Sequence, residues 1–129
     1  KDTVLQNVVL PLKIAKVSPR KRKEIAIKAL EAVDLVDKAR NKASNLSGGQ
    51  KQRVCVARAV ANSPKIIFAD EPTGNLDTNT GDKVEELLFG LNKEKGITLI
   101  IVTHDEALAE KCNRQIRLQD GKIISKGEK

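Results

Sequence analysis

The chain has 129 residues, 40% hydrophobic and 32% charged, with a formal net charge of +7. That length and balance suit one folded domain with a modest core rather than a disordered tail. Two Phe, no Trp and no Tyr argue against the aromatic platforms that stack single-stranded nucleic acid.

The positive charge is uneven, with ten Lys/Arg against four Asp/Glu in residues 11–45. Such an excess serves a nucleic acid, an anionic membrane surface or a phosphate ligand. No apolar run reaches the roughly 18 residues of a membrane span, and no signal-peptide pattern precedes the domain. Cys55 and Cys112 form no CxxC pair, so no zinc site is expected, and both read as buried thiols of a cytosolic protein.

In chain order, residues 3–10 fit a short helix or a strand before Pro11. Ser18-Pro19 is a helix start, with Ser at the cap and Pro at the first helical position. Ile25, Ala26, Ala29, Leu30 and Val33 follow on one helical face. The basic run Arg20 to Lys23 reads as a solvated face of that helix, with a nuclear-localisation or nucleic-acid patch as the alternative. Residues 37–45 are a polar connection.

Ser47 to Asn62 is helical in pattern, with Val54, Ala57 and Ala61 on one side, and Ser63-Pro64 stops it. Ile66 to Ala69 is continuously apolar, as in a strand with both faces covered. Val84, Leu87, Leu88 and Leu91 give an amphipathic stripe that ends at Gly96. Ile97 to Val102 is a second apolar strand, and Asp105 is placed to cap a short helix through Cys112. Gln115–Gln119, an Asp120-Gly121 turn and Lys122–Ser125 form a hairpin. Strands alternating with helices make this an α/β domain with a mostly parallel sheet.

Three places carry chemistry. Ser47-Gly48-Gly49 precedes a helix, whose first amides and dipole favour a phosphate; a plain turn that needs glycine is the alternative. Asp70 and Glu71 leave the C-terminal end of a strand, where open α/β sheets bind ligands. There an aspartate can hold Mg²⁺ and the next carboxylate can activate water; a solvated strand end is the alternative. His104 ends the second strand, as a structural hydrogen bonder or a functional group. Asp77 is a candidate N-cap for the helix carrying Val84.

Together these residues resemble the nucleotide-binding domain of ATP-binding cassette (ABC) ATPases. Leu46-Ser47-Gly48-Gly49-Gln50 stands as the ABC signature, followed by Lys51-Gln52-Arg53. Ile66 to Glu71 resembles the Walker B strand, Asn75-Leu76-Asp77 the D-loop, His104 the switch histidine and Leu118 to Ile123 the closing hairpin. The resemblance implies a partial P-loop NTPase sheet. A helical signature subdomain would cover about residues 11–62, with Walker B, D-loop, switch histidine and hairpin in 63–129. Glu71 to Asp77, EPTGNLD, is similar to ATPases of the lipoprotein-releasing, macrolide-export and cell-division type.

The resemblance implies ATP and Mg²⁺ as ligands. It assigns catalysis to Glu71 and His104, the metal to Asp70, and nucleotide contacts to Ser47, Gly48, Gly49, Gln50 and Asp77. The implied partners are a second ABC ATPase domain, as a homodimer, and integral membrane transporter subunits, with no nucleic acid. The implied setting is the cytoplasmic face of a bacterial membrane, reached through those subunits. Ser47 and Gly49 would close over ATP held by the partner.

No GxxxxGK[ST] pattern occurs among these residues; the one Gly-Lys pair is Gly121-Lys122 in the hairpin. The expectation is therefore the C-terminal part of such a domain, short of roughly its first third to two fifths and inactive alone. A gap is expected between the strand ending at His104 and the one near Ile116. The alternatives are a non-catalytic interaction fragment and a DNA-repair or chromosome-organising ABC relative, the latter disfavoured because no heptad run is present.

Overall fold

The computed structural model describes residues 2–128. Helix α1 spans Val4–Ile14 and opens on a capping box. The Gln6 amide donates to Thr3 Oγ1 (3.1 Å), and the Thr3 amide donates to Gln6 Oε1 (2.8 Å). The open choice between helix and strand is thus settled as helix, and Pro11 lies inside it rather than beyond it. Proline inside a helix costs about 3 kcal/mol. Val4, Val8 and Leu12, four residues apart on one face, are almost wholly buried, and burying such side chains is worth about 1.5–3 kcal/mol each. Packing on both sides of the proline outweighs the break.

Helix α2 (Pro19–Ala32) begins after Ser18 as expected, although the Ser18 side chain makes no capping bond. Its buried face of Ala26, Ala29 and Leu30 packs on α1. Lys21 and Lys23 are exposed and Arg22 half-exposed, as a solvated face requires. Two 3-10 turns, Val36–Lys38 and Ala43–Asn45, shape the polar connection, and Thr3 bridges back to Lys42.

Helix α3 (Gly48–Val60) buries Val54, Val56, Ala57 and Val60 against α1 and α2. Arg58 Nη1 donates to Asn7 Oδ1 of α1, and Arg53 Nη1 to the Val33 carbonyl after α2. Helix α1 therefore packs together with α2 and α3. Cys55 lies on the outer face of α3 and is exposed, and Cys112 is half-buried. Neither is the buried thiol expected, because a cysteine flanked by Val54 and Val56 on a helix points away from their face.

Strand β1 (Ile66–Asp70) pairs in parallel with β2 (Thr98–Val102), Ile66 opposite Thr98 and Asp70 opposite Val102. Helix α4 (Thr78–Lys95) connects them and places Val84, Leu88 and Leu91 in the core. Gly96, left-handed at φ 66°, ends it, a conformation glycine adopts without steric cost. Both strand faces were expected to be covered, but only one is. Ile67 is buried, while Phe68 is 75% and Val102 61% exposed on the opposite face, beside exposed Ile66 and Ile100.

Helix α5 (Glu106–Glu110) is short. Strands β3 (Arg114–Gln119) and β4 (Lys122–Glu128) form the expected antiparallel hairpin, turning on Asp120 and Gly121, both at positive φ. The sheet is not mostly parallel: the parallel and antiparallel pairs are separate two-stranded sheets. The separation falls between β2 and β3, where the gap was expected.

Candidate functional site

Two strand tips and two helix N-termini build the site. At the end of β1 the ladder runs one residue beyond the strand, with the Glu71 amide donating to the Val102 carbonyl at 2.8 Å. Glu71 then turns to φ 46°. For a residue with a Cβ this left-handed geometry costs about 1–2 kcal/mol, and such strain gathers at functional sites.

The Glu71 carboxylate is anchored at the end of β2. Thr103 Oγ1 donates to Glu71 Oε2 at 3.1 Å, and the His104 backbone amide donates to Glu71 Oε1 at 2.7 Å. Thr103 Oγ1 also accepts from the Asp105 amide at 3.0 Å. Asp105 in turn caps α5, accepting from the Ala107 and Leu108 amides. One chain of hydrogen bonds thus runs from Glu71 through Thr103 to the α5 cap. A carboxylate has about four acceptor positions, so Glu71 keeps capacity for a water.

Asp70, last in β1, is exposed, and among the described residues no hydrogen bond or ion pair engages its carboxylate. No group of three metal-ligating side chains occurs among those residues. A lone, unengaged carboxylate still suits Mg²⁺, which retains waters and commonly takes one or two carboxylates together with substrate phosphates.

The loop after Glu71 makes two turns, the Gly74 amide donating to the Glu71 carbonyl and the Leu76 amide to the Thr73 carbonyl. It delivers Asp77 to the N-cap of α4, the role considered for it. Thr80 engages both Asp77 oxygens: Oγ1 donates to Oδ1 at 2.6 Å and the amide donates to Oδ2 at 3.3 Å. These bonds, the hydroxyl one foremost, hold the Asp77 carboxyl below the usual carboxylate range.

Ser47 caps α3 through a second capping box: the Gln50 amide donates to Ser47 Oγ (3.2 Å) and the Ser47 amide to Gln50 Oε1 (3.0 Å). Neither Gly48 nor Gly49 has positive φ; close approach requires glycine at Gly49 instead, while Gly48 has room for a side-chain carbon. A Cβ on Gly48 would touch Leu76 Cδ2 at 3.4 Å, and one on Gly49 would overlap Thr80 Cγ2. The first turn of α3 therefore rests on the first turn of α4.

The structure brings the predicted residues together in two groups. Glu71 and His104 are hydrogen-bonded, with Asp70 adjacent in the chain; Ser47 to Gln50 and Asp77 meet through Thr80 and Leu76. Sequence reasoning missed Thr103 and Thr80. The signals were a hydroxyl directly before His104 and a Thr three residues after the N-cap Asp77, a spacing that suits capping.

The ABC transporter family matches residues 1–74. The lipoprotein-releasing system ATP-binding protein LolD of Syntrophus aciditrophicus is 50% identical over 94% of this chain and 54% of its own length. The chain spans about half the length of the curated relatives it matches, 49–54%. The dimeric structure of a bacterial ABC transporter cassette superposes with TM-score 0.84 at 45% identity, covering 98% of this chain and 56% of that one. A dimeric post-hydrolysis cassette bound to ADP and Pi gives 0.83 at 44% identity, with the same coverage.

Proposed function

Because the chain belongs to the ABC transporter family, we propose that it is the C-terminal part of an ATP-hydrolysing subunit. In this reading the subunit works at a dimer interface and couples ATP turnover to the movement of membrane subunits. The observation that carries it is the Glu71 carboxylate at the tip of β1, held by Thr103 and His104 from the tip of β2.

A carboxylate fixed on one side and free on the other orients a water and accepts its proton as that water attacks a phosphoryl group. The hydrogen bonds from Thr103 and His104 keep Glu71 in one position, so little reorganisation is needed when the proton moves. Asp70 would hold Mg²⁺, which supplies charge neutralisation on the transferred phosphate. His104, fixed at its backbone by Glu71, serves the same phosphate with its ring.

Ser47 to Gln50 present the N-terminus of α3, whose free amides and dipole attract an anion. In the dimer they meet the ATP of the other subunit, and Asp77 lies at the same interface. The dimeric cassettes of similar structure support that arrangement. The likeness to LolD and the run Glu71 to Asp77 support a subunit of the lipoprotein-releasing, macrolide-export or cell-division type. No helix among the described residues is long and apolar enough to cross a membrane, consistent with attachment through partner subunits.

The test is phosphate release from Mg-ATP by the whole protein, with Glu71→Gln lowering turnover by about 10²–10⁴, the usual contribution of a positioned base, while ATP binding persists. Wild-type turnover in Glu71→Gln would overturn the assignment. The 129-residue chain alone is expected to release no phosphate, since it carries no Walker A lysine or hydroxyl to hold the nucleotide.

A further inference from the structure

Gly49 and Asp77 are 28 positions apart in the chain, yet a single side chain lies between them. We propose that Thr80 is a positioning residue that locks the Ser47–Gln50 turn to Asp77. Its methyl fills the space left by the missing Gly49 side chain, and its hydroxyl fixes the Asp77 carboxylate. The two groups share one Cβ, so neither can move without the other.

The geometry is specific to threonine. A Cβ added at Gly49 would overlap Thr80 Cγ2, whereas Thr80 Cβ would lie 3.4 Å and Oγ1 4.0 Å away, both tolerable. The obstruction is the Thr80 methyl alone. Turning Thr80 to clear an added methyl carries Oγ1 off Asp77, because side-chain torsions move between discrete staggered positions. Serine would lose the methyl and keep the hydroxyl; valine would keep the bulk and lose the hydroxyl.

On the functional reading above, on which this part rests, the Ser47–Gln50 turn and Asp77 face the partner subunit together. Thr80 makes them one rigid piece, so that a nucleotide touching the first also sets the second. This is the pre-organisation that positioned sites require.

The test uses the whole protein and four variants, reading the Asp77 carboxyl titration by NMR. In the wild type it lies below the ordinary 3.8. Gly49→Ala and Thr80→Val should raise it toward that value, while Thr80→Ser and the double variant Gly49→Ala/Thr80→Ser should keep it low. If Gly49→Ala alone fails to fold, restoration of folding by Thr80→Ser is the expected result. Destabilisation by Gly49→Ala with Asp77 unchanged, or no rescue by Thr80→Ser, would show that the helices part instead and would overturn the lock.

Neither readout needs nucleotide, so both stand apart from the ATPase reading. In the whole protein, Gly49→Ala should lose ATP turnover and Thr80→Ser in the same background should restore much of it. Rescue of the titration without rescue of turnover would overturn the positioning role and leave the ATPase reading intact. Absence of wild-type turnover would overturn that reading and leave the lock intact.

Discussion

The backbone amide of His104 donates to Glu71 Oε1 at 2.7 Å, so the histidine two residues beyond β2 is fixed by the carboxylate that follows β1. The bond crosses between neighbouring parallel strands whose register, Asp70 opposite Val102, brings the two ends level. It makes Glu71 a structural clamp as well as a candidate base.

The clamp predicts an unusual order of stabilities at position 71. Glu71→Ala loses the bonds from Thr103 and His104 but keeps the left-handed φ of 46°. Glu71→Gly loses the same bonds and relieves the strain, so it should be the more stable of the two by about 1 kcal/mol. Chemical denaturation of both variants checks this, and equal midpoints would show that the strain is not borne at Glu71.

The low Asp77 carboxyl predicts an acid dependence. Its folded pKa lies below the unfolded one, so the folded state binds fewer protons in that range. The stabilisation is fully present above the unfolded pKa and is lost as pH falls through the folded pKa. The wild type should therefore lose stability below about pH 4 more steeply than Asp77→Asn. Thermal melts at pH 3 to 6 measure the difference.

Glu85 is nearly buried on α4, and its Oε2 accepts from Lys111 Nζ just after α5. Lys111→Ala leaves a buried carboxylate without its cation and should cost about 1–2 kcal/mol, moderated because the Lys111 side chain is 53% exposed. Glu85→Gln should cost less, since the charge left unpaired is the solvent-exposed Lys111 ammonium rather than a buried carboxylate. Urea denaturation of the two variants checks the order.

Phe68 and Val102, with Ile66 and Ile100, leave an apolar sheet face open to solvent. Exposed faces and unpaired strand edges drive self-association. The isolated chain should associate with rising concentration in sedimentation experiments, and Phe68→Ser with Val102→Thr should shift that association to higher concentration. A cooperative monomer unaffected by these changes would contradict the prediction.

Much of this was legible in the residues. Ser47, Asp77 and Asp105 precede helices and cap them, because capping is local chemistry spanning three residues. Of the stripe Val84, Leu87, Leu88 and Leu91, Leu87 is half-buried at the edge of the core and the other three lie inside it. Pro11 misled in the other direction: propensity ends a helix there, yet Leu12 is almost wholly buried, and burial is not encoded in neighbouring residues. The apolar runs in β1 and β2 suggested covering on both faces, but apolar character records what a strand would bury, not what is present to bury it.

The sequence by itself determined which groups stand at strand tips and helix starts, since local hydrogen bonding and periodicity act within a few residues. Only the tertiary structure decided which of them meet. Glu71 reaches Thr103 and His104 across 32 and 33 positions through the β1–β2 register. Gly49 finds Thr80 because α3 and α4 cross at their first turns. Such contacts depend on how separate elements pack, which no local pattern specifies.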